Sequence, residues 1–369
     1  MKKISLYTCA LLLSASTLVA ADSIDEAFKN GKVSGDITLY TIKTDNKDGV
    51  KNSGFTAGTI GLGYETDSYK GFSAKMAFRG NHEFSEVEED DYENSFVNDA
   101  IITEANIKYA NKDFSLTLGR QVIDLEWLED YNEAVVAAIT AIPDTTIVAG
   151  YTHRQATSDE DESSDFTELT KKGAYVLDVK YNGIKDVEFN PYFYSAPDAV
   201  DFYGLKASYS SDIFSAIAHY ASSNVDNKAK NDTTDDGNIL NLEVGTTIAG
   251  ISASIGYIKT DSKYGIGLMD TYGDNINLMD SGNQLYSADA KTFYGTLGYE
   301  VAGVELGALY SATEYSSSNY DENELNLTVG YKITDSLSVG VLYVNIDADD
   351  KDSDTNDNEY ASLTLSYSF

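Results

Sequence analysis

Any chemistry in this chain must come from carboxylates and a small set of bases, because other reactive side chains are scarce. There are three histidines (His82, His153 and His219) and one cysteine, Cys9. No Ser/His/Asp spacing stands out, and no His/Cys cluster offers a zinc or iron ligand set. His82, near Glu83 and Glu86, is the one histidine–carboxylate grouping where hydrolysis could be sought. The acidic run DADDKDSDTNDNE lacks the Gly and Glu positions of an EF-hand and reads as solvated charge. No catalytic residue, metal site or cofactor is expected. Asp and Glu outnumber Lys and Arg by 60 to 26, for a net charge of −34, which argues against nucleic acid as a partner.

The bases that remain share a pattern. Lys75, Arg79, Lys108, Arg154, Lys180 and Lys206 fall on the polar parity of segments whose other parity is apolar. Asp36, Glu65, Glu104, Asp178, Glu243 and Glu305 do the same. If the polar parity lines a lumen, these groups either form opposed charged walls that set ion preference or neutralise one another as wall-stiffening ion pairs. Arg120 breaks the pattern, sharing a face with Leu116 and Leu118, and calls for exposure or a β-bulge.

The elements that position these residues are strands. Alternation of apolar and polar residues recurs in eighteen segments: 33–41, 57–65, 71–80, 100–109, 114–122, 134–140, 145–154, 173–181, 187–194, 201–209, 213–222, 238–248, 251–259, 291–299, 303–312, 324–333, 337–346 and 359–369. The Ala-rich segment at 134–140 also suits a helix, although Pro143-Asp144 is a good hairpin turn. Connectors alternate short (DSYKG, ANKD, AIPD, NGIKD, SSD, AG, VAG, TDS) and long, and the long ones are mostly acidic. The fold class is all-β: a transmembrane antiparallel barrel of eighteen strands with short periplasmic turns and long extracellular loops. The 28 tyrosines suit aromatic girdles, and only 3 prolines suit long ladders. Tyr64, Tyr109, Tyr181, Tyr209, Tyr299, Tyr331 and Tyr367 end the descending strands and mark the periplasmic interface. Tyr151, Tyr220, Tyr257, Tyr310 and Tyr343 mark the upper one.

Residues 1–21 read as a signal peptide, with Lys2 and Lys3 before a short apolar run and Val19 and Ala21 at −3/−1. Residues 22–369 form the barrel domain, placed in the outer membrane. Two loops are unusual. Residues 123–133 hold the only tryptophan, Trp127, among Asp124, Glu126, Glu129 and Asp130. The segment 260–290 carries Ile266, Leu268, Met269, Ile276, Leu278 and Met279, too apolar for a loop in water. Both are expected to fold into the barrel mouth, with Glu126, Glu129 and Asp130 opposing the bases at the narrowest section; packing on a rim or neighbouring subunit is the alternative for the apolar loop.

Three stretches carry a family resemblance: AFKNGKVSGDITLY (27–40), GTIGLGYETDSYKGFSAKMAFRG (58–80) and FSLTLGRQVIDLEWLEDYNEAVVAAI (114–139). They resemble the OprD-type porins, outer-membrane channels for carboxylates and basic amino acids, as does the closing strand with its terminal Phe369. The resemblance implies an eighteen-strand channel constricted by its third and seventh loops. It does not bring the family's ladder of pore arginines, because only Arg79, Arg120 and Arg154 exist here. The reading implied is passive passage of small hydrophilic solutes, in contact with outer-membrane lipid and lipopolysaccharide, with a homotrimer as the expected assembly. The competing reading is a structural or adhesive surface protein with cation-binding acidic loops.

Overall fold

The structure is a computed structural model that describes residues 21–47, 49–316, 319–349 and 357–369. The expected signal peptide lies outside the described residues up to position 20. A short helix, α1 (Ile24–Lys29), is capped by Ser23, whose side chain accepts from the Glu26 N–H. It is followed by β1 (Lys32–Asn46), β2 (Ser53–Glu65) and β3 (Phe72–Glu86). The short helix α2 (Asp91–Ser95) precedes β4 (Ala100–Ala110). Next come β5 (Phe114–Val122), β6 (Tyr131–Ile139), β7 (Thr145–Ala156), β8 (Ala174–Ile184) and β9 (Val187–Ala196). The rest are β10 (Val200–Ser210), β11 (Phe214–Val225), β12 (Asn238–Ile248), β13 (Ile251–Thr260), β14 (Lys291–Val301), β15 (Val304–Tyr315), β16 (Tyr320–Lys332), β17 (Leu337–Ala348) and β18 (Asn358–Ser368).

All eighteen strands pair antiparallel with their chain neighbours, and β1 pairs with β18, from Asp36↔Ser368 to Asn46↔Asn358. Closure gives every strand a partner strand on both sides, which is what lets strands cross a bilayer. The Ala-rich segment is a strand, β6. Two of the tightest turns are the Ala-Gly pairs 249–250 and 302–303, with all four residues at positive φ, the mirror-image geometry that matches strand twist.

The alternation sorts as expected. Ile37, Ile60, Phe78, Ile107, Leu205, Ile255, Phe293 and Leu327 are exposed on the outer face. The girdle residues Tyr181, Tyr209, Tyr299, Tyr331 and Tyr367 are exposed at the ends of descending strands. A concavity of about 840 Å³ lies on this apolar outer face among Phe189, Ala207, Leu242, Ile255, Phe293 and Ala312. It faces lipid rather than solute.

The long-short alternation of connectors is incomplete. On the upper side, 197–199 and 316–319 are as short as periplasmic turns. The strands beside them run further than the alternation shows, with β9 reaching Ala196 and β16 starting at Tyr320. Tyr92, a loop residue by sequence, is buried against Phe55 and Phe96.

Candidate functional site

Three extracellular loops fold into the barrel mouth: L3 (123–130), L4 (157–173) and L7 (261–290). L3 crosses the lumen from β5 and β6 to β9–β11. Trp127 is fully buried and donates its indole N–H to Tyr192 Oη at 2.7 Å. Tyr192 Oη lies 2.6 Å from His219 Nε2, and His219 Nδ1 lies 3.4 Å from Glu126 Oε1. Because the indole can only donate, the simplest chain runs from indole to phenol to imidazole, leaving the ring proton on Nδ1 facing Glu126. Glu126 also accepts from Lys206 Nζ with both oxygens at 3.0 Å, and is only 8% exposed.

L7 runs on from there. Asn275 donates to the Leu125 carbonyl at 2.7 Å, and the Glu129 N–H donates to the Tyr272 carbonyl at 3.1 Å. Ile266, Met269, Ile276, Met279 and Leu285 are buried in one core with Trp127 and Leu128, so the apolar residues of this loop fill the mouth. The far end of L7 is tied to the opposite wall. The N–H groups of Asp280, Ser281 and Gly282 donate to the Glu324 carboxylate at 2.9, 3.1 and 2.8 Å. Glu322 accepts from Gln284 N–H, and Tyr360 bonds to Asp280 and Ser281. Three consecutive N–H groups around one carboxylate replace the water a buried anion would otherwise need.

The inward bases do not stand as an open ladder. Arg79 makes a two-pronged pair with Asp36, both contacts at 2.8 Å. Lys75 meets Glu104 at 2.7 Å, and Lys206 is held by Glu126. Of the two sequence readings, ion pairing describes these three. Glu243 accepts from Tyr294 Oη at 2.8 Å, Lys108 sits opposite Ser73 and Thr117, and Lys180 opposite Thr146. Glu305 is at the periplasmic end, 3.9 Å from Lys332.

Two expectations need correction. Arg154 is not one of a row of lumen bases. A β-bulge between Glu133 and Ala134 pairs Glu133 with Arg154 and skips His153, which shifts the parity. Arg154 meets Glu133 at 3.6 Å and donates to the Phe166 carbonyl of L4. Glu126 and Trp127 belong to L3 as expected, yet they are packed on the β9–β11 wall rather than facing the passage. Arg120 stands in unbroken register on β5, opposite Ala105 and Glu133, and its guanidinium is taken up by Glu133 and the Ile102 carbonyl; beside it, Gly119 has a φ of +119° and a tight approach to the Ala105 carbonyl that only glycine permits.

Carboxylates gather on the opposite side of the mouth. Asp130 Oδ2 accepts from Thr157 Oγ1 at 3.4 Å, which ties L3 to L4. Glu162 of L4 is pushed up to about 7, chiefly by burial and then by Asp159 and Asp130. Asp159 and Asp161 of L4 and Asp280 of L7 all lie within electrostatic reach of Tyr40 on β1. Sequence reasoning missed L4, the Glu322/Glu324 clamp and the lumen tyrosines Tyr40, Tyr192, Tyr194, Tyr294 and Tyr360. Tyr192 and Tyr194 were hidden because β9 (VEFNPYFYSA) is aromatic on both parities.

Residues 31–215, half of the chain, match the model of a family described as "Putative outer membrane protein". The chain belongs to this outer membrane protein family. No curated protein matches it in sequence. Solved structures extend the fold agreement over the whole outer membrane barrel. OccAB1 of Acinetobacter baumannii superposes with a TM-score of 0.78 at 13% identity, covering 94% of this chain and 98% of that one. OccK3 (OpdO) of Pseudomonas aeruginosa gives 0.77 at 13% identity, covering 94% and 97%. OccAB4 of Acinetobacter baumannii gives 0.74 at 15% identity, covering 92% and 98%. The eighteen-strand architecture read from the sequence agrees with these.

Proposed function

We propose that this outer membrane barrel is a porin: a water-filled channel for passive diffusion of small hydrophilic solutes and ions, narrowed by L3, L4 and L7. The observation that carries this reading is the pair of loops, L3 and L7, folded into the lumen and fixed to its wall by buried hydrogen bonds and an ion pair. An adhesive or purely structural barrel has no use for loops that turn away from the cell exterior into its own core.

Selectivity follows from charge placement. The bases nearest the passage are cancelled by Asp36, Glu104 and Glu126, each within hydrogen-bond distance of its partner. Asp159 and Asp161 of L4 and Asp280 of L7 gather at the mouth, all within electrostatic reach of Tyr40. Charges in the narrowest section act with little screening, whereas loop charges farther than about 8–10 Å from an ion are largely screened. The channel therefore prefers cations moderately. Small solutes, outer-membrane lipid and lipopolysaccharide are the partners proposed, with a homotrimer as the assembly. Purified protein in a planar bilayer tests the reading. Discrete conductance steps with a cation-signed reversal potential in a salt gradient are expected; a barrel that inserts and stays closed to ions refutes it.

A further inference from the structure

The wall of the barrel is not a continuous ladder. β4 pairs with β3 up to Ala100↔Gly80, but its pairing with β5 begins only at Ala105↔Arg120. Above that point the β5–β6 hairpin leaves the wall to carry L3 inward, and Ala100–Glu104 run without a strand on that side. The depth matters, because Ile102 and Phe78 are exposed on the outer face here, alongside the lipid-facing residues. An unsatisfied backbone group in the hydrocarbon region costs several kcal/mol.

The gap is closed by side chains and by L4. Arg120 donates from Nη1 to the Ile102 carbonyl at 3.0 Å, the group a strand amide would normally satisfy. Its Nε and Nη2 meet Glu133 at 3.0 and 2.9 Å. Its guanidinium lies 4.1 Å from the ring centre of Phe166, in L4. Phe166 is buried with Ile101 and Ala156, and Tyr131 packs beside them. On either side of Phe166, L4 pairs with existing edges: Ser163 N–H donates to the Ser95 carbonyl, Val97 N–H to the Ser163 carbonyl, and Gln155 and Thr167 exchange both bonds. L4 thus forms the wall where β5 is absent.

We infer that Arg120 is a positioning residue for the channel: it takes the place of the missing strand at this break and pins L4 into the wall, so that L3 can leave the wall without opening it. The planar guanidinium suits the task because one group serves a carbonyl, a carboxylate and a ring face together, which an ammonium cannot. The inference rests on the porin reading only for its effect on current.

Amide hydrogen exchange of L4 in the full-length reconstituted barrel tests the pinning without any current. In Arg120→Gln, the Ser163 and Thr167 amides should exchange many-fold faster than in the unaltered protein, and Arg120→Lys should restore only part of the protection. Unchanged exchange in Arg120→Gln, or full restoration by lysine, overturns the inference. If Arg120→Gln does not assemble, Phe166→Ala removes the other half of the joint, and protected L4 amides there overturn it equally. The channel readout is open-state current noise, expected to rise severalfold in Arg120→Gln and to fall again when Asn98→Cys/Asp165→Cys is joined by a short thiol cross-linker. Noise that survives the cross-link excludes L4 as its source. An unaltered barrel that never conducts counts against the porin reading, while exchange still decides the role of Arg120.

Discussion

The L3 anchor gives the sharpest expectation, because a single side chain holds a buried charge. Lys206→Met removes the ammonium from Glu126 and leaves it beside the edge of His219. Breaking a buried pair from one side costs roughly 3–5 kcal/mol in other proteins. The Lys206 side chain keeps 24% of its exposure, so water recovers part of that, and about 2–3 kcal/mol is the better figure here. The ratio of docked to undocked L3 should then fall by about 30- to 150-fold, at about 1.4 kcal/mol per decade. Trp127 reports on this directly as the only tryptophan in the chain. In the unaltered barrel it should resist acrylamide quenching and emit as a buried indole. In Lys206→Met it should become quenchable and shift to the red, with higher single-channel conductance. Glu126→Gln should have a smaller effect, since an amide oxygen still accepts from Lys206. Equal quenching of Trp127 in all three proteins would show that the indole–phenol bond and the L7 contacts hold L3 without the ion pair.

Arg79→Gln uncovers Asp36 and should move the reversal potential toward cations, whereas Asp159→Asn with Asp161→Asn should move it toward anions; no movement in either removes these residues from the passage. Glu162 has its proton held in the folded state up to about pH 7, above the ordinary carboxylate range. Its effect therefore stabilises the packed form of L4 at low pH and is lost as pH rises from about 4.5 to 7. L4 amides should exchange faster at pH 8 than at pH 5 after correction for intrinsic rates, and Glu162→Gln should abolish the difference. Gly119→Ala drives a methyl group against the Ala105 carbonyl and should lower the barrel's unfolding temperature or assembly yield, whereas Gly340→Ala, which meets nothing, should not. Tyr209→Asp at the girdle should reduce assembly more than Tyr264→Asp in L7, as measured by heat-modifiable gel mobility.

The strand plan was legible because each strand faces two solvents, and that requirement writes a period of two into the sequence. Segments 114–122 and 238–248 coincide with β5 and β12. Inward placement could be read at Lys75, Arg79 and Lys206 for the same reason. What could not be read were the departures from period two. The bulge at Glu133 shifts parity by one residue at Arg154, and no local signal announces it. Pairing partners were equally hidden: Glu126 and Lys206 are 80 residues apart, and only closure of the barrel brings them together. The apolar character of 260–290 did reveal that it must be buried, but the L4 segment is polar and acidic and carries no comparable mark.

The clamp on L7 also imposes an order of events. L3 is anchored by β9–β11, which are available as soon as the middle of the chain has paired. The partners of the L7 tip lie on β16 and β18, the last of which must also meet β1 to complete the wall. A chain assembling from its middle therefore passes through a stage in which one side of the lumen is occupied and the other is open from end to end. The final hairpin performs two tasks in one step. It removes the last exposed ladder edge from the bilayer, and it brings Tyr360 onto the L7 tip beside the β16 carboxylates. Narrowing is thus the last act of assembly, so an incompletely closed barrel would be a leak rather than a restricted path.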